Sequence, residues 1–161
     1  MNRILVATDG SDSAAEAVEF GIELAIEHQA ELILAHVVPA LDIVPASGFG
    51  IGGAFPHEPM PADRQLLDDA AVRAEEHDVV ATTVLLAGDT VDEIVAYADS
   101  HDVDLIVVGS RGHGTIANAL LGSVSRGVLA ESKRPVLVVR AGAPIPHTAG
   151  VRRRAGIGLG Y

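Results

Sequence analysis

Five short apolar runs set the strongest constraint on what this chain of 161 residues can become. They are Ile4 to Ala7, closed by Thr8-Asp9-Gly10; Leu32 to Val38, interrupted by His36 and stopped at Pro39; Val79 to Leu86; Asp104 to Val108; and Pro135 to Val139. Runs this short and this continuously apolar suit strands buried on both faces of a sheet. Between them the period changes. Ala15, Val18, Ile22, Ala25 and Ile26 recur at helical spacing with Glu16, Glu19, Glu23 and Glu27 opposite, and Ser13 with Glu16 predicts a capping box. A second helix is predicted over Ala62 to His77 with Leu66, Leu67, Ala70, Ala71 and Ala74 inward. A third runs through Ser100 from a cap made by Thr90 with Glu93, and a fourth covers Ser123 to Ser132. Strands alternating with helices imply right-handed crossovers and one α/β domain, a five-stranded parallel sheet covered on both faces.

Two segments break the alternation. Pro39 to Pro61 shifts to Gly and Pro and carries Phe49 and Phe55, which predicts a long loop of the kind that serves as a lid, a binding segment or a disordered stretch. Ala141 to Tyr161 has little periodicity and reads as a flexible tail beyond a domain at 1–140.

Composition narrows the chemistry. The formal charge is −11, from 22 Asp and Glu against 11 Lys and Arg, and such a surface repels phosphate backbones. With aromatic residues at 3 % and no Trp, a stacking platform for single-stranded nucleic acid is not expected either. Lys133 is the sole lysine, and acid excess with so little lysine points to adaptation to a high-salt cytoplasm. Absence of Cys removes disulfides, thiolate metal sites and cysteine nucleophiles. The start is too brief for a signal peptide, and no run of eighteen apolar residues occurs, so a soluble, cytoplasmic protein without a membrane partner is expected.

In an open parallel sheet, ligands bind beyond the carboxyl ends of the strands where the strand order reverses. That rule selects Thr8-Asp9-Gly10 after the first strand and Gly109-Ser110-Arg111-Gly112 after the fourth. From Gly109 the chain reads GSRGHGTIANALLGSVS, with Gly122 and Ser123 opening a helix. Glycines let backbone N–H groups approach an anion, a helix start adds unpaired donors, and Ser123 and Ser125 add hydroxyls. A phosphate chain fits that arrangement.

These residues resemble the universal stress protein family, in the branch whose G-x2-G-x9-G-(S/T) signature binds ATP. Gly109, Gly112, Gly122 and Ser123 satisfy every position, and the likeness extends from Ile4 to Arg140 through Thr8-Asp9-Gly10-Ser11, His36-Val37-Val38 and Arg134 to Val139. The resemblance implies a Rossmann-like sheet, related to that of the adenine nucleotide alpha hydrolases, in the order 3-2-1-4-5. It also implies ATP at the carboxyl edge, with Mg2+ or Mn2+ carried by the phosphates, and a homodimer formed through Val136, Leu137, Val138 and Val139. Carried over residue by residue, Thr8 and Asp9 would lie at the adenine end and Val37 would line the base pocket. Gly109, Arg111 and Gly112 would pass the ribose and phosphates, and Gly122, Ser123, Val124 and Ser125 would surround the phosphate tail. The function implied is a dimeric stress-response or signalling module with at most slow ATP hydrolysis, since no general base is evident and Arg111 is the lone candidate for stabilising phosphoryl charge.

Other motifs fail. Lys133 is misplaced for a P-loop. The GxGxxA at Gly112 to Ala117 lacks the downstream acid that ribose recognition needs. Thr8 to Ser13 half-matches the SGGxDS loop of adenylating ATP pyrophosphatases but places Asp9 where pyrophosphate should lie. The seven His show no metal-ligand spacing; His36 is expected in the core with a satisfied nitrogen, and His113 in the phosphate-side loop. The remaining rival is a nucleotide-free dimeric interaction protein of the same fold.

Overall fold

The computed structural model of the chain describes residues 1–44, 52–112, 121–142 and 144. Its central sheet is built from β1 (Arg3–Ala7), β2 (Glu31–Val38), β5 (Ala81–Ala87), β6 (Leu105–Gly109) and β7 (Val136–Val139). The helices are α1 (Asp12–His28), α2 (Pro61–Glu75), α3 (Thr90–Ser100) and α4 (Ser123–Glu131), and β3 (Leu41–Val44) and β4 (Gly53–Pro56) form a separate pair. Sheet order is β5-β2-β1-β6-β7 with every pairing parallel. Counting only the strands of this sheet, that is the expected 3-2-1-4-5.

Alternation along the strands sorts the core into two layers. Ile4 and Val6 of β1, with Leu32 and Leu34 of β2, face α1 and α2 and meet Ala17, Val18, Ile22, Leu67, Ala70 and Ala74. Leu5, Ile33 and Ile106 point the other way, toward Ile94 and Ala98 of α3 and Val128 of α4. Small residues let α1 sit close to the sheet: a Cβ on Gly21 would run into the Val6 side chain. The buried stripe of α1 is therefore Ala14, Ala17, Val18, Gly21, Ile22 and Ala25, whereas Ala15 is only partly covered and Ile26 is 41 % exposed. On α2, Leu67, Ala70 and Ala74 are buried, and Leu66 and Ala71 only partly so.

Three expectations need correction. The predicted loop over 39–61 contains an antiparallel hairpin, with Leu41 opposite Pro56 and Ile43 opposite Ala54, tied at its base by His57 N donating to Ala40 O at 3.0 Å. Leu-Asp-Ile-Val has the alternation of a strand, which the Gly- and Pro-rich stretch after it hides at the sequence level; Phe49 lies outside the described residues. The N-cap of α1 is Ser11 rather than Ser13, because the Ser13 hydroxyl is engaged with Arg111. The cap of α3 is Asp89 rather than Thr90: its Oδ1 accepts from Val91 N at 3.0 Å and Asp92 N at 3.2 Å, taking up two donors that have no intrahelical partner. Beyond Pro144 the expected tail lies outside the described residues. Among the described residues no helix is long and apolar enough to cross a membrane.

Candidate functional site

The chain runs outward from β1 to β2 and β5 on one side, then crosses to β6 and β7 on the other, so the order reverses between β1 and β6. The carboxyl ends of those two strands form the candidate site. After β1, Thr8 N donates to Ala35 O at 2.9 Å, and Gly10, at φ 79°, turns the chain into α1. Within that turn Gly10 N donates to Thr8 Oγ1 at 3.3 Å and Ser11 N to Asp9 Oδ1 at 3.0 Å. Asp9 is thus held by its own turn as well as facing the site.

His36 braces the same corner. Its Nδ1 is 2.8 Å from Thr8 O, which can only accept, so the proton sits on Nδ1; Nε2 faces Asp63 Oδ1 at 3.5 Å, with both side chains 14 % exposed. The expected satisfied nitrogen is present, but His36 is only partly buried and is not part of the core. That it also lines the pocket was not anticipated.

After β6, Ser110 N donates to Val139 O at 2.6 Å, and Ser110 O accepts from Gly122 N at 2.7 Å. The start of α4 is thereby fastened to the end of β6. Ser11 Oγ donates to Arg111 O at 3.1 Å, Arg111 N donates to Ser13 Oγ at 3.1 Å, and Ser13 Oγ also meets Arg111 O. Two serines of the first turn after β1 hold the backbone of the glycine loop in place.

A cavity of about 160 Å3 opens between these ends. It is lined by Thr8, Asp9, Val37, Gly109, Arg111, Gly112 and Val124, seven of the ten residues selected from sequence, together with His36, Thr90 and Ile94. Ligand pockets commonly begin near ~300 Å3, so this one suits a single flat ring system rather than a whole nucleotide. The other three selected residues lie on α4 and its cap. Gly122 is buried and bonded to Ser110; Ser123 is exposed; Ser125 is 2 % exposed, with its hydroxyl 3.2 Å from both Ser110 O and Gly122 O. His113 lies outside the described residues.

The glycines differ in what they permit. A Cβ at Gly109 would lie 2.6 Å from Ser13 Oγ and 2.7–2.8 Å from backbone atoms of Ser13 and Ala14, so the packing of α1 already demands glycine there. At Gly112 it would strike the Asp9 carboxylate inside the pocket. At Gly122 it would meet Arg111 Cα and Ser110 O at an ordinary 3.5 Å, so nothing within the described residues forbids a side chain. The Asp9 carboxylate thus leaves no room for a side chain at Gly112, whereas the surroundings of Gly122 leave room for one. Among the described residues no three His, Asp or Glu side chains converge as a metal site.

The universal stress protein family model matches residues 1–140. The chain belongs to this family. Universal stress protein YxiE of Bacillus subtilis is 38 % identical over 146 residues, spanning 86 % of this chain and 99 % of YxiE. Universal stress protein MJ0531 of Methanocaldococcus jannaschii is 36 % identical over 141 residues, spanning 86 % and 81 %. Among solved structures, a universal stress protein crystallised in complex with cAMP matches with a TM-score of 0.64 at 32 % identity, covering 86 % of this chain and 95 % of that one. Family membership accounts for the five-stranded parallel sheet.

Proposed function

We propose that this universal stress protein binds ATP and works as a dimeric stress-response or signalling module whose ligand state alters its interactions. The observation that carries the reading is the convergence of Thr8, Asp9, Val37, Gly109, Arg111, Gly112 and Val124 on one ring-sized cavity at the switch point. The family relative crystallised with cAMP supports an adenine ring as its occupant. Val37, Ile94 and Val124 offer the ring apolar faces, and Thr8 and Asp9 supply polar contacts at its edge. The phosphates then run past Gly112 toward Gly122, Ser123 and the first amides of α4, where the helix dipole favours negative charge. Arg111 adds a cation, and Mg2+ or Mn2+ travels with the phosphates. Bound ATP supplies a phosphoanhydride, yet the lining offers little to activate water. Asp9 Oδ1 accepts from its own turn, and His36 is held between Thr8 and Asp63, so hydrolysis is slow at most.

The deciding experiment is an ATP binding isotherm for wild type beside Gly122→Val. The backbone at Gly122, φ −71° and ψ 171°, accepts a β-branched residue, so the fold should survive. The added bulk obstructs approach to the amides of α4, and affinity should fall by about tenfold or more, the loss of at least one charge-assisted hydrogen bond. Equal affinities would remove the phosphates from this place. Purified protein that releases no adenine nucleotide on heating and shows no thermal shift with ATP would instead favour the nucleotide-free interaction protein.

A further inference from the structure

Both ring nitrogens of His36 meet oxygen atoms that can only accept. Alternation along β2 puts this side chain on the face of Leu32 and Leu34, the one covered by α1 and α2, yet at the carboxyl end of the strand it also lines the ring-sized cavity. Nδ1 lies 2.8 Å from Thr8 O and Nε2 lies 3.5 Å from Asp63 Oδ1, with both side chains 14 % exposed. A neutral imidazole carries one N–H, and the bond to Thr8 takes it. The lone pair of Nε2 is then left against a negative oxygen. Only the doubly protonated ring satisfies both sides.

The far end of the contact is fixed as well. Asp63 Oδ2 accepts from Met60 N at 2.7 Å and Asp63 N donates to Met60 O at 3.0 Å, so this carboxylate organises the first turn of α2. The line from Thr8 through His36 and Asp63 to Met60 joins the polar edge of the cavity to the point where the chain enters α2. Around the ring, β5 contributes Val84, Leu85 and Leu86, and α3 contributes Thr90 and Ile94, none of them titratable. The other charged groups on the cavity are Asp9, after β1, and Arg111, after β6.

We propose that His36 is a proton-dependent strut, a positioning residue that fixes the first turn of α2 to the base pocket when its ring takes a second proton, and that nucleotide affinity rises as it does so. This regulation rests on the nucleotide reading above. Imidazole is the side chain whose charge ordinarily changes between about pH 5 and 8. As pH falls through that range the ion pair with Asp63 forms, and a positive charge appears beside a pocket that takes an anion. Both effects favour binding, one by fixing the wall in advance and the other by attraction. As pH rises the Thr8 bond stays, the Asp63 contact is lost and the pocket loosens on its α2 side.

The test uses cAMP, whose phosphodiester keeps the same charge throughout this range. Its affinity for wild type should rise about fivefold from about pH 8 to about pH 5, the scale of one partly buried ion pair. In the nucleotide-free protein, nitrogen NMR of the ring should show Nδ1–H alone at high pH and both N–H groups at low pH. Hydrogen-exchange protection of the amides from Asp63 to Leu66 should rise alongside. His36→Asn keeps a donor for Thr8 O but cannot reach Asp63, and should flatten both the affinity and the protection response. Asp63→Asn keeps an oxygen for Met60 N and offers an amide donor to the neutral ring, and should reverse the protection response. His28→Asn, at the exposed end of α1, should behave as wild type. A ring that stays neutral, protection that ignores pH, or a response that survives in His36→Asn would overturn the strut. Affinity that ignores pH while protection changes would overturn its effect on the pocket. Wild type that binds no cAMP at any pH would count against the nucleotide reading, and the protection series would still decide the strut.

Discussion

Asp104 ties the start of the chain to the start of β6. Its carboxylate accepts from Asn2 N and, at 3.1 Å, from Arg3 N. Those backbone donors, the Asn2 bond foremost, hold its pKa below the ordinary aspartate value. The folded state therefore binds fewer protons here than the unfolded chain. The contribution to stability is complete above the unfolded aspartate value of ~3.9 and is lost as pH falls through the lower folded value. Asp104→Asn should melt below wild type at neutral pH, with the difference closing in acid; a pH series of melting curves checks this, and a constant difference would contradict it. Such residue-level roles were only partly legible in the sequence. Asp9 and Gly112 could be selected because strand ends at a switch point are functional positions in any open parallel sheet. Ser13 could not be read correctly, because its partner Arg111 is 98 residues away and a local capping box was the sole pairing its neighbours suggested.

At the scale of elements, the approach of α1 to β6 depends on Gly109, whose missing side chain leaves room for Ser13 and Ala14. Gly109→Ala would press a methyl group against backbone that cannot rotate away, a clash of roughly 1–3 kcal/mol by analogy with overpacked cores. For a domain of this size a melting temperature lower by roughly 2–10 °C is expected, and an unchanged melt would show that α1 can shift at little cost. The central strands and all four helices were readable from periodicity, since burial on both faces or on one stripe leaves its mark in consecutive residues. The hairpin was not. Its strands are four residues each, and Leu41, Ile43 and Phe55 are 51–73 % exposed, so the short alternation of Leu-Asp-Ile-Val had no buried face to extend it above the surrounding Gly- and Pro-rich composition. The cap of α3 was displaced by one residue because Asp89 and Thr90 are both suitable caps, and the backbone entering the helix selects between them.

For the whole molecule, the open question of assembly falls on β7, which among the described residues pairs with β6 alone and has no strand on its other edge. Pro135 O and Val139 O accept from Ile106 N and Ser110 N, so alternate residues of β7 turn toward β6, and Val136 and Val138 present their backbone groups outward. If two copies pair through this edge, as the proposed dimer requires, Val138→Pro removes an outward donor without touching the bonds to β6. Light scattering should then report a folded protein of half the wild-type mass; an undiminished mass would place the dimer contact elsewhere. The sequence by itself determined the succession of strands and helices and the parallel sheet, because periodicity and crossover handedness are consequences of short stretches of chain; the place where the strand order reverses followed only from the family resemblance. Only the tertiary structure decided that Gly109 serves helix packing, that Ser11 and Ser13 hold the loop after β6, and that His36 stands between Thr8 and Asp63. Each of those depends on groups brought together from opposite parts of the chain, and no local pattern records which neighbour folding will supply.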